Sequence, residues 1–284
     1  MKTGLVLEGG AMRGMFTSGI LDVFLENNID FDGIAAVSAG ATFGCNFKSR
    51  QIGRAIRYNK RYSRNPAYCS ILSLLVTGDL YGAKFCYETL PEKLDIFDTK
   101  TFAGNPMDFY VVCTDMDTGK AVYHNCKTGD ARDLRWIRAS ASMPAVSRPV
   151  RISGMKLSDG GTAVSVPLSY MEKKGFEKNV VILTQPDSFR KERQKHFELI
   201  RFALRHYPAL VQALETRPER YNQNIEYVRQ REREGAAFVI RPDESLNIGR
   251  TEKDPDELER VYQTGREKGL RVLPELRQFI RDQN

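Results

Sequence analysis

Gly33-Ile-Ala-Ala-Val-Ser-Ala-Gly40 carries an apolar run straight into a serine set among small residues. An apolar run without polar alternation suits a strand buried on both faces, as in a parallel sheet. The pattern after it is helical to about Tyr62, so the stretch reads as strand, turn and helix. Similar short runs recur on either side, at 4–7, 109–114, 179–184 and 237–240. A helical pattern over 12–27 places Phe16, Ile20, Val23 and Phe24 on one face. Asp117-Thr-Gly119 between the β-like runs 109–114 and 120–124 predicts a tight hairpin. Strands alternating with helices predict an α/β fold, a three-layer α/β/α sandwich around a mainly parallel sheet. Beyond Asp187 the chain turns to charged amphipathic helices, expected over 189–206, 217–234 and 255–282, the last in two pieces broken near Gly269. The organisation predicted is a catalytic domain over 3–185 and a mostly helical C-terminal extension over 186–284, packed on it.

Composition narrows the function classes. With 284 residues and 41% hydrophobic content, the chain has material for a core and is neither disordered nor fibrous. Five cysteines without a CxxC pair predict reduced thiols, with Cys45 and Cys113 in the core and no zinc module. The first strand begins near Lys2, leaving no room for a leader, and the apolar run 68–76 is too short to cross a bilayer. A cytoplasmic protein is therefore expected. Lys and Arg number 43 against 36 acids, and the stretch 48–64 holds seven cations and no acid. That stretch is either a solvated helix face or a peripheral contact with anionic membranes. No nucleic-acid signature accompanies it.

Three constellations sit at strand ends, where ligands of open parallel sheets gather. Glu8-Gly-Gly-Ala-Met-Arg-Gly14 opens a helix after the first strand. Its backbone N–H groups suit an anion or an oxyanion. A dinucleotide loop would want an acid at the end of the second strand, which ends instead at Val37-Ser38. A P-loop would want Gly-Lys-Ser/Thr, and plain structural turning remains open. Ala36-Val-Ser-Ala-Gly40 has the context of a nucleophile elbow, with a simple helix N-cap as the other reading of Ser38. Ser158-Asp-Gly-Gly161 is first a turn signal, but beside an exposed serine Asp159 can serve as its base. The three histidines, His124, His196 and His206, lie in a strand or on charged helices, so each reads as a surface or packing residue. Asp115-x-Asp117-x-Gly119 lacks the remaining ligands of a calcium loop. Asp22 reads as a solvated face residue.

These stretches, in this order, resemble the patatin-like phospholipases. That family carries a D-G-G-G-x-R-G loop, a G-x-S-x-G elbow and a later D-G-A/G motif. Ala139-Ser-Ala-Ser-Met-Pro144 and Cys113-Thr-Asp-Met-Asp-Thr-Gly119 are similar to two further family segments. The resemblance covers roughly 3–185. It implies a serine hydrolase acting on lipid or lysophospholipid acyl esters, with Ser38 as nucleophile, Asp159 as base and an acyl-enzyme intermediate. It further implies an oxyanion hole from Gly9, Gly10, Ala11 and Met12, support from Arg13 (as a loop brace), Gly14, Gly40 and Gly160, and no metal or organic cofactor. Glu8, Ala11 and Ala36 depart from the pattern: Ala11 keeps its N–H, so the hole survives unless φ must be positive there. A catalytically silent lipid-binding relative is the alternative, and a nucleotide-dependent oxidoreductase a more distant one. Residues 71–76 are the expected acyl-binding surface.

Overall fold

The computed structural model describes residues 2–193, 195 and 197–281. The chain runs through β1 (Lys2–Leu7), α1 (Gly14–Glu26), β2 (Gly33–Val37), α2 (Ala39–Lys48), α3 (Arg54–Tyr62) and α4 (Ile71–Thr77). A π-helical stretch, Phe85–Leu94, precedes α5 (Thr99–Gly104), β3 (Asp108–Asp115), β4 (Ala121–Asn125), α6 (Ala131–Ala141), β5 (Val150–Ile152) and β6 (Met155–Asp159). The chain continues through α7 (Leu168–Lys173), β7 (Phe176–Ile182), α8 (Phe197–Ala203), α9 (Pro208–Glu215), α10 (Arg217–Arg233), β8 (Ala237–Ile240) and α11 (Pro255–Arg281).

The strands form one eight-stranded sheet. Its parallel body is β8-β7-β1-β2-β3, and β4 pairs antiparallel to β3. Alternation along β1 splits the core. Leu5 and Leu7 face a cluster built with Phe16, Ile20 and Val23 of α1, Phe43 of α2 and Leu258 and Val261 of α11. Val6 faces the other way, toward Leu168 and Met171 of α7 and Ile225 and Val228 of α10. Apolar cores on both faces of the sheet make the three layers that the unalternating strands predict.

Several boundaries differ from expectation. Helix 39–62 is two helices, interrupted where Gly53 takes a left-handed φ of 71°. The run 151–157 is a hairpin, with Ser153 and Gly154 at positive φ in its turn. The helix expected over 189–206 is confined, among the described residues, to α8, with α9 beginning only at Pro208. Gly269 breaks nothing: α11 is continuous, and Gly269 packs against Ile20 and Val23 of α1. A Cβ on Gly19 would stand 2.2 Å from the Tyr262 carbonyl oxygen, and one on Gly265 2.0 Å from that of Phe16. The two helices therefore meet backbone to backbone.

Asp22 lies in that same contact and is not solvated. It is 6% exposed and accepts hydrogen bonds from Tyr262 Oη (2.7 Å) and the Gly53 N–H (3.0 Å). Burial pushes its carboxyl up from 3.8 to about 6, against those two bonds. A carboxyl raised on folding contributes its full stability below the unfolded value and loses it as pH climbs through the folded one. Between pH 4 and pH 7 the protein should therefore lose about 2–3 kcal/mol relative to Asp22→Asn. Urea titrations of both proteins at the two pH values measure this, and parallel pH profiles would contradict it.

The basic stretch 48–64 is also different in space. Arg50 pairs with Asp30, Arg54 and Arg57 with Asp95, Lys60 with Glu259 and Arg64 with Asp254. Lys48 is buried, its Nζ 4.5 Å from the centre of the Phe102 ring. Acids from distant segments thus offset part of what reads locally as an acid-free patch, while Arg61 stays exposed without an acid partner among the described residues.

Candidate active site

β2 ends at Val37, which pairs with Val112 of β3. Past that point β6 occupies the same edge of β3, with Asp159 opposite Cys113. Ser38 and Asp159 thus meet because two strands share one edge end to end. The Ser38 hydroxyl donates to Asp159 Oδ2 at 2.6 Å, and the Gly161 N–H donates to Oδ1 at 2.8 Å. Ser38 takes φ 55° and ψ −121° with no side-chain cap bond, so its hydroxyl is not an N-cap for α2. Such a backbone costs about 1–3 kcal/mol and points the side chain outward. Its N–H donates to Ser140 Oγ (2.8 Å), which in turn donates to the Val112 carbonyl. Asp159 is 6% exposed, and burial holds its carboxyl above the ordinary range despite Arg217 and the Ser38 hydrogen bond.

Two glycines make the approach possible. A Cβ on Gly40 would stand 2.7 Å from the Leu7 carbonyl oxygen, and one on Gly160 2.1 Å from that of Val112. Gly9 lies against Ser38, and Gly14 against Phe43 and Ala39. Among the described residues the Gly9 and Gly10 N–H groups donate to no protein group. Ala11, Met12 and Arg13 form a short 3-10 turn beside the serine. The substitutions in the motifs now have physical readings. Ala36 is ordinary strand backbone, fully buried, and carries no strain. Ala11 has φ 50°, a left-handed value that costs an alanine about 1–2 kcal/mol and a glycine little. Glu8 is 3% exposed and reaches the Thr184 N–H (2.6 Å), the Thr184 hydroxyl (3.2 Å) and Tyr221 Oη (2.9 Å).

Two cavities meet at Ser38. One, of about 80 Å³, is apolar and aromatic, lined by Met12, Phe43, Tyr58, Tyr68, Tyr81 and Tyr87 among others. Residues 71–76 do not line it: Ile71, Leu72, Leu75 and Val76 are more than 60% exposed, at the tip of an excursion whose base is the Cys69–Tyr81 bridge. The other cavity, of about 250 Å³, holds Glu8, Asp159, Tyr221 and the cations Arg13, Lys191, Arg217 and Arg250. Sequence reading finds Arg13 but misses the tyrosines and the three later cations, which no motif or spacing connects. Arg13 makes no bracing hydrogen bond among the described residues, and its Nε is buried without a partner.

Among the described residues, none of the remaining candidates lines either cavity. His124 stacks on Trp136 and faces Asp133 Oδ1 at 3.3 Å. With Cys126 they form a group of possible metal ligands, but Asp133 Oδ2 already accepts the Thr128 and Gly129 N–H groups and the Thr128 hydroxyl. The donor set serves the turn before α6. His206 is exposed, and His196 lies outside the described residues. Cys45 and Cys113 are buried free thiols, as expected, and burial pushes Cys45 up to about 11. Among the described residues no helix is long and apolar enough to cross a membrane.

The sequence profile described as patatin-like phospholipase matches residues 5–171. The chain belongs to that family. A second profile, a domain of unknown function (DUF6363), matches residues 207–281. The uncharacterized protein YjjU of Escherichia coli K12 is 28% identical over 198 residues, covering 65% of this chain and 52% of that protein. Lysophospholipase NTE1 of Meyerozyma guilliermondii is 29% identical over 177 residues, 61% of this chain and 12% of that protein. The chain spans about half the length of the first of these relatives and far less of the second. The crystal structure of VipD from Legionella pneumophila overlays with a TM-score of 0.49 at 13% identity, over 96% of this chain and 67% of that one.

Proposed function

We propose that the protein hydrolyses acyl ester bonds of lipids, with lysophospholipids foremost, through Ser38 and Asp159. The hydroxyl–carboxylate contact of 2.6 Å carries this reading. Asp159 takes the Ser38 proton as Oγ attacks the ester carbonyl, and N–H groups of the loop from Gly9 to Met12, those of Gly9 and Gly10 being unengaged among the described residues, hold the oxyanion. Asp159 returns the proton to the departing alkoxide, which leaves an acyl-serine. It then takes a proton from water, whose oxygen attacks the acyl carbon, and the fatty acid departs as Oγ regains its proton. A carboxylate lifted by burial is a better base than an exposed one, and no histidine is required. The aromatic cavity suits the acyl chain. Family membership supports lipid as substrate class, and the name of the fungal relative supports lysophospholipid.

Fluorophosphonate labelling of the protein and of Ser38→Ala, read by intact mass and peptide mapping, tests the reading. A single adduct on Ser38, lost in the variant, is expected. A folded protein that takes no adduct would overturn it in favour of a silent lipid binder.

A further inference from the structure

We propose that the basic cavity beside Ser38 is a headgroup site for a phosphate monoester, so that the preferred substrate is a lysolipid ending in a terminal phosphate. The proposal rests on the hydrolase reading and adds the substrate's headgroup. Arg13 follows β1, Lys191 follows β7, Arg217 opens α10 and Arg250 lies before α11, yet all four line one cavity. None forms an ion pair or a side-chain hydrogen bond among the described residues, and the Nε atoms of Arg13 and Arg217 are buried without partners.

The two carboxylates in the cavity answer them only in part: Glu8 acts on Arg13 and Asp159 on Arg217, through space and without a direct ion pair. Glu8 is engaged by Thr184 and Tyr221, and Asp159 by Ser38 and Gly161. Four cations against two carboxylates leave the cavity with an excess of two positive charges. Burial, and then the Arg217 guanidinium, bring the Lys191 ammonium down to about 8, as expected of cations crowded without counterions. Uncompensated charge of this kind is costly, and a fold keeps it where a ligand supplies the balance.

A phosphate monoester brings about two negative charges and three acceptor oxygens, and guanidinium forks suit those oxygens. A choline-capped phosphate brings one negative charge and carries a cation of its own into the cavity. The one aromatic ring there among the described residues, Tyr221, already faces Lys191 Nζ at 4.4 Å from its centre. Because Ser38 borders both cavities, a bound lysolipid would place its phosphate among the cations and its chain among the tyrosines, with the ester between them.

Calorimetry on Ser38→Ala, which removes turnover, tests this with octanoyl lysophosphatidic acid, monooctanoylglycerol and inorganic phosphate. The phosphorylated lipid should bind at least tenfold more tightly than either of the others. Adding Arg250→Gln or Lys191→Gln should cut that advantage about tenfold, whereas Arg61→Gln, outside both cavities, should not change it. Equal affinity for the two lipids would overturn the proposal. Inorganic phosphate binding as tightly as the lipid would also overturn it, making the cavity a site for the free anion. Turnover of monooctanoylglycerol by the unmodified protein separates the two readings. Turnover with equal affinities sinks the headgroup site alone, and headgroup-selective binding with no turnover of either lipid sinks the hydrolase alone.

Discussion

Asp159→Asn is expected to lower kcat about a thousandfold while leaving the protein folded and more resistant to heat. The loss follows from the base, since positioned proton transfer contributes about 10²–10⁴ in rate. The thermal gain follows from burial. Folding raises the Asp159 carboxyl above its ordinary value, so keeping it ionised at neutral pH costs stability, and that cost grows as pH rises through the folded value. Asparagine has nearly the same shape and accepts the Gly161 N–H without carrying a charge. In the unmodified protein, kcat should rise with pH through a pKa above the usual carboxylate range, and the variant's residual rate should lack that limb. Steady-state assays across pH with paired melting curves read all three effects. A variant that melts lower than its parent would show that Asp159 stabilises the site it occupies.

Glu8→Ala should cost more stability than any other single change at the site. The carboxylate is buried, accepts three hydrogen bonds and is the acid nearest Arg13 and Tyr221. Removing one partner of a buried charged cluster costs about 3–5 kcal/mol, which for a chain of this size lowers Tm by about 6–15 °C. Glu8→Gln keeps an oxygen for Thr184 and should lose less than half as much, so the pair distinguishes charge from hydrogen bonding. Thermal melts within a degree or two of the parent for both would remove Glu8 from this role. The same geometry explains why glutamate stands where the family pattern has aspartate: the longer side chain spans from the end of β1 to both Thr184 and Tyr221 of α10.

How far the sequence carries the reader depends on whether a feature is local. Ser38, Asp159 and the loop at Gly9 are each written in a few consecutive residues, because an elbow, a tight turn and a row of N–H groups are backbone shapes with their own residue demands. The apolar strands are legible for the same reason. The sharing of one β3 edge by β2 and β6 is a pairing choice, and nothing within either strand announces it. The cations at 13, 191, 217 and 250 are separated by tens to nearly two hundred residues and become a cluster only in three dimensions. Asp22 and Gly269 fail in opposite ways. An acid on a helix usually faces water and a glycine usually weakens a helix, but both sit where α11 crosses α1, and close packing reverses each expectation.

The position of β1 has a consequence for how the chain comes into being. β1 lies in the middle of the sheet, between β2 and β7, and one face of α1 is covered only when α11 arrives. During synthesis one edge of β1 waits for residue 176, and the face of α1 that meets Tyr262 and Gly265 waits for about 240 further residues. The nascent protein thus carries open sheet edge and greasy helix surface until those segments have been made. A gene cut after the patatin-like segment would leave them bare for good, as a template for self-association.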